Sequence, residues 1–254
     1  MPDRPLVLCI SGHDPGGGAG IQADIEAVAA QGGRALSIIT ALTVQDTRDV
    51  ARVDDVDARL IERQLDCLLA DSRPAAIKLG LLGSADQAGV IAAAIERTGA
   101  SVVIDPVLRA GGGSSLSSAA TTRALLDQLF PLADVITPNA AEARILSGCG
   151  TRDAGATALL GTGCRNVLVT GGDEPGPSVE NTWYRHDTEP GRYTWPRLAG
   201  GFHGAGCTLA AALAARLALG ETMADALREA QRYTHAALAS AVATGRGRLI
   251  PGRY

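Results

Sequence analysis

The feature that most constrains this fold is the alternation of short apolar runs with longer helical patterns over the first two thirds of the chain. Six runs have the length and composition of buried strands: Leu6–Ile10, Leu36–Thr40, Ala76–Leu79, Val102–Asp105, Val135–Thr137 and Asn166–Thr170. The segments between them have helical patterns: Ile21–Gln31, Val56–Leu69, Ala85–Arg97, Ser118–Leu129 and Ala140–Leu146. Apolar strands separated by helices predict a mostly parallel sheet with helices on both faces, connected by right-handed crossovers.

The last third of the chain has a different pattern. Val179–His186 and Arg192–Pro196, with Asp-Thr-Glu-Pro-Gly between them, predict an antiparallel hairpin at the edge of the sheet. Beyond Gly204 we expect helices through about Leu219 and over Met223–Ala243. Because no repeat, low-complexity segment or linker interrupts the chain, we predict an α/β fold in a single domain over residues 1–254.

Composition argues against several classes of function. The net charge is −4 and basic residues form no cluster, which disfavours a nucleic-acid partner. No stretch approaches the ~18 apolar residues of a membrane span, and no basic segment followed by a long apolar run begins the sequence. The five cysteines lack Cys-x-x-Cys spacing, which argues against a disulfide framework or a zinc site. We therefore expect a cytoplasmic protein that binds neither nucleic acid nor membrane.

The glycine-rich and polar segments follow predicted strands. They are Gly12–Gly20, Asp105–Gly113, Thr137–Glu142 and Gly171–Asp173. Ligands of open parallel sheets bind at the carboxyl ends of the strands. We therefore expect these loops to meet at one site.

The first loop is rich in glycine, which lets the backbone approach a ligand closely and exposes amides at a helix N-terminus. No Lys-Ser or Lys-Thr follows, so this is not a Walker loop. A tight turn between strand and helix explains the glycines equally well. Asp24, inside the following helix, would ordinarily be a solvated carboxylate.

Two acidic positions could serve a phosphate site. Glu142 begins a predicted helix shortly after Asn139, where a carboxylate can orient the waters of Mg²⁺ around a triphosphate. The structural alternative is a capping box, with Asn139 as N-cap and Glu142 at the third helical position. Asp105 ends an apolar strand and precedes a proline, which favours a site over the core.

The most informative segment is Gly201-Phe-His-Gly-Ala-Gly-Cys-Thr208, which opens the helix that follows. Gly204, Ala205 and Gly206 would present successive amides where the helix dipole favours negative charge. Such a site stabilises a phosphoryl group during transfer. We expect the same field to lower the pKa of the Cys207 thiol. The alternative is a small cysteine buried in an alanine-rich helix.

Together these motifs resemble the ribokinase-like superfamily, and more narrowly the hydroxymethylpyrimidine/phosphomethylpyrimidine kinases of thiamin biosynthesis. The matching segments follow in family order: Gly12-His-Asp-Pro, Gly17-Gly-Ala-Gly-Ile-Gln-Ala-Asp24, Ile39-Thr-Ala-Leu-Thr-Val-Gln-Asp-Thr47, Ile77-Lys-Leu-Gly80, Ile104-Asp-Pro-Val107, Asp134-Val-Ile-Thr-Pro-Asn-Ala-Ala-Glu142 and His203-Gly-Ala-Gly-Cys-Thr208. The resemblance implies a ribokinase-like three-layer fold and a homodimer. It also implies ATP-dependent phosphorylation of hydroxymethylpyrimidine and of its monophosphate.

The resemblance also implies roles for individual residues. The anion hole would be formed by Gly204, Ala205 and Gly206, with Cys207 as the base. Asp105 and Glu142 would hold Mg²⁺, and the ATP site would comprise Asn139, Glu142, Thr170 and Gly172. The substrate pocket would comprise Gln45, which reads the aminopyrimidine edge, with Gly12, Ala19, Asp24, Leu81, Val107 and His203.

The chain departs from the family pattern at several positions. Thr170 stands where relatives usually have a lysine, so one positive charge near the ATP phosphates is missing, and Arg109 is a candidate to compensate. Ala205 replaces the usual threonine and removes a hydroxyl group. Two other functions stay open on these residues. One is a pyridoxal kinase, although a pyridoxal kinase that uses a second cysteine to hold the aldehyde would need a C-terminal thiol and none follows Cys207. The other is a non-catalytic pyrimidine-binding relative.

Overall fold

The computed structural model describes residues 4–254, in which nine strands form one sheet. In chain order these are β1 Leu6–His13, β2 Arg34–Gln45, β3 Val50–Asp55, β4 Ala76–Leu79, β5 Ser101–Ile104, β6 Val135–Ile136, β7 Asn166–Val169, β8 Ser178–Arg185 and β9 Gly191–Pro196. Their order is β3-β2-β1-β4-β5-β6-β7-β8-β9. The six central strands β2, β1, β4, β5, β6 and β7 are parallel. An antiparallel β3 flanks them at one edge, and the antiparallel hairpin of β8 and β9 flanks them at the other. Residues 1–3, which the single-domain prediction includes, lie outside the described residues.

Helices cover both faces of the sheet because successive strand residues point to opposite sides. In β1, Leu8 and Ile10 pack into one core cluster, and Val7 and Cys9 pack into the other. The first cluster includes residues of α2 Ala58–Asp71, α3 Asp86–Thr98, α4 Ala119–Ala124, α5 Ala140–Ser147 and α6 Arg152–Leu160. The second includes residues of α1 Gly20–Ala30, α7 Ala205–Ala218 and α8 Met223–Ala239. Every helix within residues 4–254 is too short or too polar to span a bilayer.

The predicted strands, the edge hairpin and the predicted helices are all confirmed, with shifted ends. Sequence reasoning missed α6, the strand β3 and the part of β2 beyond Thr40 that pairs with it. Beyond Leu42, β2 pairs only with β3, and the two form a projecting ribbon that extends past the end of β1. Leu42 and Val44 are exposed on this ribbon, so it lacks the apolar run of a buried strand. The last helix ends at Ala239 rather than at the predicted Ala243.

The C-terminal tail is extended and returns to the body of the protein. Val242 pairs with Ile250, and Phe202 pairs with Leu249. Arg253 is almost wholly buried; its guanidinium donates to the carbonyl oxygens of Gly17 and Gly18 and to Oγ1 of Thr208, the last at 2.9 Å. The tail therefore fixes the glycine-rich first loop against the beginning of α7.

Candidate active site

The carboxyl ends of the parallel strands open into a cavity of about 610 Å³. Residues from all of the four predicted loops line it, so the expected convergence is confirmed. Sequence reasoning did not anticipate that the hairpin, α8 and the C-terminal tail also line the cavity, through residues such as Trp195, Leu238 and Arg248.

Asp14 organises the first loop and was not among the predicted site residues. Its carboxylate accepts hydrogen bonds from the amides of Gly16 at 2.8 Å and Ala19 at 2.9 Å, and it lies 2.9 Å from Nε2 of His203. Burial alone raises the pKa of Asp14, but the hydrogen bonds, led by that of His203, outweigh it and lower the pKa. The Asp-Pro pair before the glycines was the available sequence signal. Asp14 links the first loop to the segment that opens α7.

The beginning of α7 has the geometry of an anion-binding site. Gly204 is the N-cap residue with φ of 81°, and a Cβ there would overlap the carbonyl oxygen of Gly18, so glycine is required. Ala205 and Gly206 line the cavity in the first turn, where amides lack intrahelical acceptors. The helix runs for 14 residues behind them, and its dipole adds positive potential. The structure therefore presents the predicted amides at the cavity.

Cys207 lies in the same turn, but its predicted acidity is wrong. Burial raises the pKa of the thiol to about 12; the positive charge of Lys78 lowers it less than burial raises it, and Asp105 and Asp24 raise it further. The helix field thus does not overcome desolvation. The Cys207 thiol in turn lowers the pKa of the Asp105 carboxyl, though less than burial raises it. In the unliganded site Cys207 is a thiol at neutral pH.

Asp105 and Glu142 form a buried acidic pair. Burial raises the pKa of Asp105 to about 6 and that of Glu142 to about 8, and the charge of Asp105 raises the latter further. Oxygens of Glu142 accept from the amides of Asn139 at 3.0 Å and Leu108 at 3.3 Å. The Asn139 side chain accepts from the Glu142 amide at 2.8 Å, which completes a capping box. Glu142 is therefore a helix cap and a cavity residue at once.

The pair suits a divalent cation that arrives with a nucleotide. Two carboxylates with raised pKa values are both stabilised when a hard cation neutralises them. Mg²⁺ typically keeps several waters and uses one or two carboxylates together with substrate phosphates. Within residues 4–254, no group of three or more His, Cys, Asp and Glu side chains could hold a metal ion without such a partner.

Asp24 does not line the cavity, which departs from the expected place of this residue in the substrate pocket. Its side chain is fully buried and both carboxylate oxygens lie 2.8 Å from Nζ of Lys78 on β4. Burial alone lowers the pKa of Lys78, but the charge of Asp24 outweighs it and raises the pKa. Asp24 thus keeps Lys78 positively charged next to Cys207 and Asp105. Asp24 therefore affects the site indirectly, through the charge of Lys78.

The polypeptide around Thr170 and Asn139 forms another wall of the cavity. The amide of Thr170 donates to the carbonyl of Pro138 at 2.9 Å, and the backbone carbonyl of Thr170 accepts from the amide of Ala140 at 3.1 Å. Asp173 accepts from the amides of Ala140 and Ala141 at the beginning of α5. Asn139, Thr170 and Gly172 all line the cavity. The Arg197 guanidinium brings a positive charge to this wall, where it donates to the carbonyl of Gly172 at 3.0 Å.

An aromatic pair lies beside that wall. The rings of Trp195 and His235 are stacked with centroids 5.2 Å apart, and both line the cavity with Val179 and Leu238. Sequence reasoning missed these residues, because only the pairing of the hairpin with α8 brings them together. They form a flat apolar surface that is suited to a planar ring.

Gln45 lies at the end of β2, half-buried and facing the cavity. Its amide nitrogen donates to Oγ1 of Thr43 at 2.6 Å, and that hydroxyl donates to the carbonyl of His13 at 2.8 Å. No residue within 4–254 donates to Oε1 of Gln45, so this oxygen can accept from a ligand. Leu81 is buried nearby against Gly12; a Cβ at Gly12 would lie 2.9 Å from Cδ2 of Leu81.

A sequence model of the phosphomethylpyrimidine kinase family matches residues 14–251. The chain belongs to this family. It is 38% identical over 260 residues to a hydroxymethylpyrimidine/phosphomethylpyrimidine kinase of Rhizobium meliloti, with 95% of each chain covered. It is also 39% identical to a thiamine biosynthesis bifunctional protein of Geobacter sulfurreducens, with 96% of this chain but only 51% of that protein covered.

Solved structures of similar proteins include two kinds of vitamin kinase. The ADP complex of Bacillus subtilis pyridoxal kinase has a TM-score of 0.91 and 29% identity, covering 99% of this chain and 98% of that one. A phosphomethylpyrimidine kinase of Clostridium difficile has a TM-score of 0.78 and 30% identity, covering 91% and 98%. The ribokinase-like α/β fold is confirmed, and the family assignment rests on the sequence match.

For this phosphomethylpyrimidine kinase family member, every predicted site residue except Asp24 lines the cavity. These are Gly12, Ala19, Gln45, Leu81, Asp105, Val107, Asn139, Glu142, Thr170, Gly172, His203, Gly204, Ala205, Gly206 and Cys207. Their individual roles stay predictions. Among the described residues, Cys207 is the only cysteine that lines the cavity.

Proposed function

We propose that the protein transfers the γ-phosphate of ATP to the hydroxymethyl group of 4-amino-5-hydroxymethyl-2-methylpyrimidine and then to its monophosphate, as a step of thiamin biosynthesis in the cytoplasm. The observation that carries this proposal is the shared cavity of Gln45, the α7 amides and the acidic pair Asp105 and Glu142. A planar acceptor and a triphosphate both find suitable groups there. The family match supports the same reaction.

Gln45 is the proposed reader of the pyrimidine. Its Oε1 is available to accept from the exocyclic amino group, and its amide has a second N–H for the adjacent ring nitrogen. The hydrogen bond to Thr43 fixes the orientation of the amide before the substrate arrives. A preorganised donor and acceptor pair favours an aminopyrimidine over a ring that lacks this edge.

The α7 amides would stabilise the negative charge that develops on the transferred phosphoryl group. In the proposed step the alcohol oxygen bonds to the γ-phosphorus as the bond to the ADP oxygen breaks. Before the transfer the Cys207 thiol loses its proton to solvent, which the charge of Lys78 favours and which a cation bound to Asp105 would favour further; Sγ then takes the alcohol proton.

Asp105 and Glu142 would hold Mg²⁺ against the ATP phosphates. When bound, this cation supplies neutralisation of phosphate charge during the transfer. The raised pKa values of the two carboxyls support the assignment, because an added cation favours their ionised forms. The Trp195 and His235 rings are the proposed contact for the adenine ring.

We also propose that the protein is a homodimer, joined through the projecting ribbon of β2 and β3. Leu42 is 51% and Val44 is 56% exposed on this ribbon. An exposed apolar patch beside an active-site strand is a common site of association. Light scattering coupled to size-exclusion chromatography should give twice the mass of the chain, and a lower mass for a variant with Leu42→Lys and Val44→Lys.

Pyridoxal kinase is the second candidate function, since the structure of Bacillus subtilis pyridoxal kinase has a TM-score of 0.91. Two observations favour the pyrimidine. Within the described residues no cysteine besides Cys207 lines the cavity to hold an aldehyde, and Gln45 presents an amide that matches an aminopyrimidine. A turnover assay with hydroxymethylpyrimidine, its monophosphate and pyridoxal tests both candidates, and turnover of none would favour a non-catalytic binding protein.

A further inference from the structure

Arg248 lies on the C-terminal tail where two other loops hold the backbone. Its amide donates to the carbonyl of Thr47 at 2.9 Å, and the amide of Leu249 donates to the carbonyl of Gly201 at 2.9 Å. The Leu249 carbonyl accepts from the amide of His203 at 2.9 Å. The tail is therefore anchored to the loop after Gln45 and to the segment that opens α7. These bonds place Arg248 at the cavity.

Gly111 makes room for the Arg248 side chain. A Cβ at Gly111 would overlap its Nη1 atom, whereas a Cβ at Gly201 would make only ordinary contact with its Cγ, at 3.5 Å. The guanidinium thus lies directly against the backbone of the loop that follows Asp105. A larger residue at position 111 would displace it. The absence of a side chain at Gly111 therefore determines where the Arg248 guanidinium can lie.

The guanidinium of Arg248 has no other evident use in the fold. Among residues 4–254 it donates no hydrogen bond and forms no ion pair, although it is half-buried. Asp49 is near enough for its pKa to feel this charge, but hydrogen bonds from Ser114 and from the Val50 amide are the main causes that lower that pKa. Arg197, another arginine at the cavity, instead donates to backbone carbonyls such as that of Gly176 at 2.7 Å.

Anionic ligands are the ones that this position fits. The same cavity contains the α7 amides, and the Arg197 guanidinium there is already engaged by backbone carbonyls. Arg109 also lines the cavity, and it lies two residues before Gly111, which contacts the Arg248 guanidinium. The Arg109 side chain is exposed and has no ion-pair partner in the described chain. A guanidinium can bind two phosphate oxygens at once.

We propose that Arg248, held against Gly111 and assisted by Arg109, binds a phosphoryl group of the reactants. This inference rests on the proposed phosphotransfer function. The phosphate has two sources, the nucleotide and the monophosphate acceptor, and the chemistry of recognition is the same for both. Arg248 is thereby a determinant of phosphate affinity.

The test compares Arg248→Ala with Arg246→Ala, a matched control on the same tail whose side chain does not line the cavity. Calorimetry measures the affinities for ADP, for inorganic pyrophosphate and for hydroxymethylpyrimidine monophosphate. We expect Arg248→Ala to weaken binding of at least one of these by ~10- to 100-fold, the effect of losing a charge-assisted hydrogen bond. Arg248→Lys should retain part of the affinity, and the Arg246 variant should match the wild type.

Gly111→Ala is the second variant, because it displaces the guanidinium without removing it and Gly111 needs no positive φ. Its phosphate affinity should fall in the same direction. Weaker ADP binding with unchanged monophosphate binding would assign Arg248 to the nucleotide, and the reverse would assign it to the acceptor. Affinities in Arg248→Ala within twofold of the wild type for all three ligands would overturn the proposal. Pyrophosphate binding needs no turnover, so this result is separable from failure of the proposed kinase activity.

Discussion

Replacing Glu142 by glutamine should lower activity and, at alkaline pH, stabilise the fold. Glu142 is buried beside Asp105, and its pKa is raised to about 8 from an ordinary value of about 4.3. A raised carboxyl pKa contributes stability that is present at low pH and is lost as pH rises from about 4.3 to about 8. Glutamine mimics the protonated acid at every pH, so the variant should lack this loss.

The size of the effect follows from the same shift. One pKa unit corresponds to about 1.4 kcal/mol, and a shift of this direction should make Glu142→Gln at least ~1 kcal/mol more favourable relative to the wild type at pH 8 than at pH 5. Urea denaturation at the two pH values measures this difference. Removal of the proposed Mg²⁺ ligand should also cut kcat by at least ~10²-fold.

Asp105→Asn is the comparison, since Asp105 has a smaller shift, to about 6. The stability of Asp105→Asn relative to the wild type should therefore stop changing above about pH 6, whereas that of Glu142→Gln should keep changing up to about pH 8. An equal stability difference for Glu142→Gln at pH 5 and pH 8 would refute the electrostatic reasoning. Near-normal turnover of Glu142→Gln at saturating Mg²⁺ would remove this residue from the phosphate site.

Four further predictions concern the rest of the site. Gln45→Leu should weaken hydroxymethylpyrimidine binding by roughly 1–3 kcal/mol in calorimetry, and unchanged affinity would contradict its role. Cys207→Ser should lower kcat with little change in KM, while Cys207→Asp retains more activity than Ser; equal rates for wild type and Ser would refute proton transfer at this residue. The wild-type kcat/KM should fall as pH drops below about 8, where Glu142 becomes protonated, and more steeply below about 6, where Asp105 does; a profile that is flat to pH 5 would argue against both ionised carboxylates. Lys78→Met should destabilise the protein by roughly 3–5 kcal/mol in urea because Asp24 is left as an unpaired buried charge, and the double change with Asp24→Asn should recover much of this loss.

The sequence predicts the sheet and its helices well because buried parallel strands are nearly continuous apolar runs. The β2–β3 ribbon escapes such reasoning: Leu42 and Val44 alternate with polar residues and face solvent, and nothing nearby requires the chain to turn back. The convergence of the glycine-rich loops was predictable for a topological reason, since the carboxyl ends of parallel strands share one edge.

Charges in the site were harder to predict because burial depends on distant segments. Asp24 lies on α1 and Lys78 lies 54 residues later on β4, so the two meet only because α1 packs on the sheet in which β1 pairs with β4. The position of Cys207 was predictable, but its pKa depends on how completely neighbouring elements exclude water from it. Arg248 had no sequence motif at all; its place at the cavity is set by the path of the tail.

Phosphorylation of a hydroxymethylpyrimidine in this cavity can be measured as ADP formation by the purified wild-type protein with Mg²⁺ and ATP. Hydroxymethylpyrimidine, its monophosphate and pyridoxal are compared as acceptors, and phosphorus NMR identifies the products. We predict turnover of both pyrimidines, yielding the monophosphate and the diphosphate, with kcat/KM for hydroxymethylpyrimidine at least ~10-fold above that for pyridoxal. A preference for pyridoxal, or ADP formation that is independent of any acceptor, would show that the protein is not a hydroxymethylpyrimidine kinase.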